Sequence, residues 1–161
     1  KVASVVGLTC IEIWDYEGGA QTRKLAEWRG IAFQLTNILR DVYEDAQADR
    51  VYLPGAMMDV EHIEPAWIFD SAYRERLLEV IRMVALRAQQ YYEQSAALDT
   101  LVHPDGRACL WAMTRIYHDL LQKILHNPQR VLSGERVKLS AWRKAAIAWR
   151  ASIWMRLLHG R

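Results

Sequence analysis

The side chains best suited to chemistry in this chain are two carboxylates and two amides lying within one stretch. Residues 31–54 read IAFQLTNILRDVYEDAQADRVYLP. From Ile31 to Ala46 there is no Gly or Pro, and Ile31, Leu35, Ile38 and Val42 recur at helical spacing. At roughly 100° per residue, Gln34, Asn37, Asp41 and Asp45 share an arc of about 80°, and Gly30 extends it by one turn. The arc is polar, yet Ile31, Ile38 and Val42 border it on one side and Phe33 on the other. Apolar edges on both sides imply a strip that points into a cavity rather than toward bulk water.

Asp41 and Asp45 form an i,i+4 pair, so their Cβ atoms stand roughly 5–6 Å apart. Like charges that close need a cation between or in front of them. Hard oxygen donors beside amides suit Mg²⁺, which takes one or two protein carboxylates and completes its shell with water and phosphate oxygens. The competing reading leaves both carboxylates exposed and paired with Arg40 and Arg50. The amide-lined stripe and its apolar borders favour the metal.

QLTNILRDVYEDA followed by DRVYLP resembles the second aspartate-rich motif of the squalene and phytoene synthase family, the head-to-head prenyltransferases. The resemblance runs, more weakly, from Val2 to about Ser140. It implies an all-α fold of the isoprenoid synthase type, a helical bundle around a central cavity. Val2, Val6 and Gly7 in VASVVG match the family's helix lining the prenyl pocket, and Ala26, Gly30 and Phe33 match positions facing the prenyl chains. Arg40 matches the Arg beside the first Asp of the motif; a pair with Glu44 is its ordinary alternative. Arg50 and Tyr52 fall in the flap that follows the motif, where Arg50 could bind diphosphate and Tyr52 face the cavity. Tyr117, in MTRIYHDLL, matches a Tyr that reaches the reaction cavity.

The implied reaction joins two allylic prenyl diphosphates, farnesyl or geranylgeranyl, through a cyclopropylcarbinyl diphosphate to presqualene diphosphate, squalene or phytoene. Asp41 and Asp45 would hold Mg²⁺ against the leaving diphosphate, with Gln34 and Asn37 bonding its oxygens or metal-bound water. CIEIW after VVGL resembles bacterial squalene-type sequences more than phytoene synthases. Reduction to squalene takes NADPH in some relatives, and nothing here reads as a dinucleotide site. The family carries two aspartate-rich motifs on facing helices, whereas this chain offers one acidic pair of that kind. The chain is therefore expected to be the C-terminal part of such a domain, incomplete at the N-terminal side and inactive alone. A non-catalytic prenyl-binding or assembly homologue is the alternative, and a plain helical bundle with a surface acidic pair is the third.

The supporting elements follow from periodicity and breakers. Helices are expected from about Val2 to Trp14, Thr22 to Ala46 with Thr22 as cap, Ser71 to Leu98, Arg107 to His126, and Ser140 to Leu158 with Ser140 as cap. Gly55–Glu64 reads as a short irregular helix or loop. Leu77, Leu78, Ile81, Val84, Ala85, Ala88 and Tyr92 form the third helix's core face, while Glu75 and Glu79 sit among arginines as a solvated face. Trp111, Ile116, Leu120 and Leu121 are expected in the core, and Trp142, Ala146, Trp149 and Ile153 share one face of the last helix.

A chain of 161 residues, 52% apolar, with seven Trp and seven Tyr, can bury one modest core and reads as a single domain. A net charge of +2 gives no reason to expect nucleic acid. Cys10 and Cys109 sit in apolar surroundings and read as buried free thiols of a reducing compartment. No run of 18 apolar residues occurs. The tail carries Arg130, Arg136, Lys138, Arg143, Lys144, Arg150, Arg156 and Arg161 against Glu135, with Trp142, Trp149 and Trp154 interleaved. That composition suits peripheral contact with an anionic membrane; packing of these Trp onto the bundle is the competing reading. A cytoplasmic protein is expected.

Overall fold

The described residues form seven α-helices. These are α1 (Val2–Trp14), α2 (Gly19–Gln47), α3 (Gly55–Val60), α4 (Arg74–Gln94), α5 (Leu98–Leu101), α6 (Pro104–His126) and α7 (Ala141–His159). Single 3₁₀ turns stand at Pro65–Trp67, Ser71–Tyr73 and Pro128–Leu132. A computed structural model describes residues 2–159, with side chains described for residues 5–156. Among the described residues there is no strand, only one isolated bridge between Tyr16 and Val102.

The axis of the bundle is α2, whose 29 residues extend about 43 Å at 1.5 Å per residue. It begins three residues before the expected Thr22. Gly18, in the left-handed region at φ 85°, turns the chain into the helix. Thr22 lies inside the first turn, where its hydroxyl donates back to the Glu17 carbonyl. Leu39, Val42 and Ala46 of α2 pack with Leu78, Val80, Ile81, Val84 and Ala88 of α4 and with Leu121 and Ile124 of α6. All seven expected core positions of α4 are buried, while Glu79 pairs in solvent with Arg82. A smaller second cluster joins Ile11, Leu25, Ala26, Leu98, Val102 and Leu110.

The expected helix from Ser71 to Leu98 is broken, and Arg29 explains where. Its guanidinium is buried, with Nε donating to Ser95 Oγ at 2.9 Å and Nη2 to the Ser95 carbonyl at 2.9 Å. That carbonyl faces a buried cation at the point where α4 stops. Nη1 donates to Asp99 of α5 at 3.0 Å and to Thr114 of α6 at 2.5 Å. One side chain of α2 thus ties three other helices together.

Several expected burials do not occur. Trp111 and Ile116 are half-buried, and Cys109 is exposed, because the α6 face that carries Cys109 looks outward. On α7 the inward stripe is Ile147 and Ala151. Trp142 is 86% and Trp149 68% exposed, so the face that carries them points to solvent, against the packing reading. Asp119 sets this orientation: Arg143 donates to it from α7 at 2.7 Å, which turns the neighbouring Trp142 outward. Ser140 does cap α7, accepting from the Arg143 N–H at 3.2 Å.

Candidate functional site

Where α1 crosses α2 there is no room for side chains. A Cβ on Gly7 would stand 2.5 Å from the Ala26 carbonyl oxygen and 3.6 Å from Gly30 Cα. The small residues at 7, 26 and 30 are therefore required by backbone contact between the helices. Beyond the crossing, the helices part around a cavity of about 180 Å³. Val6, Gly7, Ala26, Gly30, Phe33, Gln34, Asn37 and Tyr117 all line it, as the sequence places them. Cys10, Ile11, Trp14, Arg29, Leu98, Leu110 and Met113 complete the wall. The side chain of Val2 lies outside the described residues.

The polar end of the cavity follows α2. Gln34 is exposed at its edge, while Asn37 Oδ1 is buried without a hydrogen-bond partner. A buried acceptor in that state costs on the order of 1–3 kcal/mol, so it marks a place that a ligand or cation would complete. Asp41 and Asp45 follow at one-turn intervals, about 6 Å of rise each. Their side chains are 21% and 24% exposed, neither free in solvent nor fully enclosed. Tyr117 packs on Phe33 with ring centroids 4.8 Å apart, and its hydroxyl neighbours the Arg40 guanidinium. Behind them Thr36 meets the Tyr92 hydroxyl at 3.2 Å, and His118 lies edge-on to Tyr92. Burial, reinforced by Arg115, pushes the His118 imidazole below its usual range.

Asp41 is clamped between two guanidinium groups. Arg40 reaches it with Nε at 2.8 Å and Nη2 at 2.5 Å. Arg136, in the segment that returns over α2 after the Pro128–Leu132 turn, adds contacts at 3.1 and 2.9 Å. Arg40 is thus paired with Asp41, and Glu44 is paired with Arg136 at 3.4 Å. Arg50 approaches Asp45 more loosely, at 3.9 Å, because the turn after α2 folds its backbone N–H onto the Asp45 carbonyl. The Arg pairings of the competing reading therefore exist, at partly buried carboxylates that follow the cavity along α2 but do not line it; Asp45 lines a separate small pit.

Arg50 and Tyr52 do not reach the main cavity. They border a small pit on the far side of Asp45, with Ile38, Val42 and Ile68, and Tyr52 is 54% exposed. The buried neighbour Leu53 takes the inward position of this extended segment, so Tyr52 on its other side must face out. Sequence reasoning missed Arg29 and Arg136. Arg29 was visible only as a charge between cavity-lining Ala26 and Gly30. Arg136 had no local signal, since its partner lies 95 residues away.

An all-α bundle with such a cavity agrees with the comparisons. The family model described as squalene/phytoene synthase matches residues 1–143, and the chain belongs to the squalene/phytoene synthase family. A phytoene synthase from Arthrospira platensis is 35% identical over 115 residues, covering 71% of this chain and 37% of that protein. One from Mycobacterium tuberculosis is 36% identical over 151 residues, covering 91% of this chain and 49% of that protein. The chain thus spans less than half the length of either relative. A crystal structure of a dehydrosqualene synthase in complex with ligand superposes with a TM-score of 0.77 at 29% identity, covering 97% of this chain and 54% of that one. The fold is of the isoprenoid synthase type. Both of these relatives being phytoene synthases, they lend no support to the squalene-type reading of CIEIW.

The clamp has a pH signature. Burial alone would raise the Asp41 carboxyl, but the bonds and charges of Arg40, then of Arg136, outweigh it and hold the group below its usual range. A carboxylate depressed by folding contributes stability above its unfolded pKa and loses it as pH falls through the folded value. The Arg136→Gln variant should therefore have a lower urea midpoint than the parent above about pH 5, the gap narrowing as acid protonates Asp41. A gap that ignores pH would show that Arg136 acts through packing alone.

Proposed function

We propose that this chain provides one half of a prenyltransferase active site, binding an allylic prenyl diphosphate for head-to-head condensation. The observation that carries the reading is the unpartnered Asn37 oxygen, buried at the polar end of an apolar cavity and one turn from Asp41. Asp41, Asp45 and the Asn37 amide form an oxygen donor set that fits Mg²⁺. Bound there, Mg²⁺ would neutralise charge on the leaving diphosphate. Arg40 and Arg136 bring two guanidinium groups to the same carboxylate, where they can also bind diphosphate oxygens. Gln34 at the cavity edge is placed to donate to those oxygens, and Arg50, outside the main cavity, adds positive charge beside Asp45.

The apolar wall of Val6, Ile11, Phe33, Leu98 and Leu110 suits a prenyl chain and keeps water from an allylic cation. Tyr117, packed against Phe33 beside Arg40, can offer its ring to that cation and a hydroxyl for a proton. Farnesyl and geranylgeranyl diphosphate both fit this description, with presqualene diphosphate, squalene or phytoene as the product. No group of three or more acidic, His or Cys side chains gathers among the described residues. The proposed site is therefore one half of a metal centre, to be met by a facing set of carboxylates.

The 161-residue chain should bind inorganic pyrophosphate by calorimetry only when Mg²⁺ is present, and Asp41→Asn should weaken that binding at least about tenfold, some 1.4 kcal/mol. With farnesyl diphosphate and Mg²⁺ it should release no diphosphate. Pyrophosphate binding indifferent to Mg²⁺ would refute the half-site, and steady turnover would refute its incompleteness.

The outer face of α7 supports a second property, peripheral attachment to an anionic membrane. Trp142 and Trp149 project from it, and no described helix is long and apolar enough to cross a bilayer. Arg143 is engaged with Asp119, and Arg150 lies over the Trp111 ring at 5.5 Å. Exposed Lys144 and Arg156 are left to meet headgroups. Phosphatidylserine vesicles should co-sediment the chain at low salt, less so near 1 M where screening shortens to about 3 Å. Trp142→Ser with Trp149→Ser should abolish co-sedimentation; unchanged binding would exclude α7 as the contact.

A further inference from the structure

Cys10 and Cys109 lie far apart in sequence, but the fold brings the helices that carry them together. The C-terminal end of α1 meets the N-terminal end of α6: the His103 N–H donates to the Asp15 carbonyl and the Glu17 N–H to the Leu101 carbonyl, both at 2.9 Å. The two helices therefore run antiparallel from a common end. Their contact starts at Gly106, where a Cβ would stand 2.6 Å from Trp14 Cγ, so a glycine there lets the axes approach. One turn back along α1 from Trp14 is Cys10, and one turn forward along α6 from Gly106 is Cys109, rises of about 6 Å and about 4.5 Å. Their neighbours Ile11 and Leu110 are buried in the same cluster. Burial, and then the charge of Cys109, push the Cys10 thiol upward. Cys10 lines the cavity, while Cys109 is exposed on the outer side.

We propose that Cys10 and Cys109 form a dithiol site that a disulfide oxidant of the oxidised-glutathione class converts into an intramolecular disulfide, stapling α1 to α6 along the cavity wall. Disulfides need Cα atoms within about 4.4–6.8 Å, and the close approach of the helices at Gly106 favours such a separation. The exposed Cys109 thiolate attacks one sulfur of oxidised glutathione, forming a mixed disulfide and releasing one glutathione thiolate. Cys10 then loses its proton to solvent and attacks Sγ of Cys109, expelling the second glutathione. Two protein thiols are oxidised and one glutathione disulfide is reduced to two thiols. The staple fixes the wall that carries Val6, Gly7 and Ile11.

The test is to treat the native 161-residue chain with oxidised glutathione, quench with acid and map the peptides by mass spectrometry. A cross-linked Cys10–Cys109 peptide, with an intact mass lower by two hydrogens and no retained glutathione, is expected. Cys10→Ser should instead accumulate glutathione on Cys109, whereas Cys109→Ser should react many-fold more slowly. Repeating the reaction in concentrated urea should leave mixed disulfides, since only the fold pairs the thiols. A stable glutathione adduct on Cys109 of the native parent, disulfide-linked dimers as the sole cross-link, or no reaction would each overturn the proposal.

Discussion

Burying the Arg29 guanidinium in a small helical bundle dictates much of what surrounds it. A charged group inside a protein must be paired and hydrogen-bonded, or its desolvation outweighs its attractions. The chain meets that demand by ending α4 at Ser95, presenting Asp99 from α5 and turning Thr114 of α6 inward. Those same elements form the floor and one wall of the cavity, through Leu98, Leu110 and Met113. The shape of the apolar chamber thus depends on how one cation is satisfied behind it.

At the other end the balance reverses. Asp41 has more positive partners than it needs, while Asn37 has none for its buried oxygen. Between them stands a site in which carboxylate, amide and guanidinium groups are drawn to one rim but leave an acceptor unfilled. A diphosphate with a divalent cation would redistribute those contacts, each group finding a partner of opposite charge. Beside an apolar cavity, such a set of groups would suit the proposed prenyl diphosphate, its headgroup at the polar end and its tail within.

The stripe on α2 was legible because helical periodicity alone places Gly30, Phe33, Gln34 and Asn37 on one side, and the family motif then labels them. The core face of α4 was legible for the same reason. Arg136 and Arg29 were not, because their meaning lies in partners on other helices. The orientation of α7 escaped because apolar residues occur all round it: periodicity permits Trp142 and Trp149 inside as readily as Ile147 and Ala151, and the Asp119–Arg143 pair decides between them. Tyr52 and Cys109 belong to the same kind, each on an apolar-looking segment whose inward face is set by a neighbour.

The account stands on the claim that the Asn37 oxygen is left for a bound cation and its diphosphate. Its side-chain NH₂ resonances can be followed by nitrogen-resolved NMR while Mg²⁺ and pyrophosphate are added together and separately. The account predicts a shift of that amide only when both are present, absent in Asp41→Asn. A shift with pyrophosphate alone, or an amide that never moves while the arginine side chains do, would contradict it.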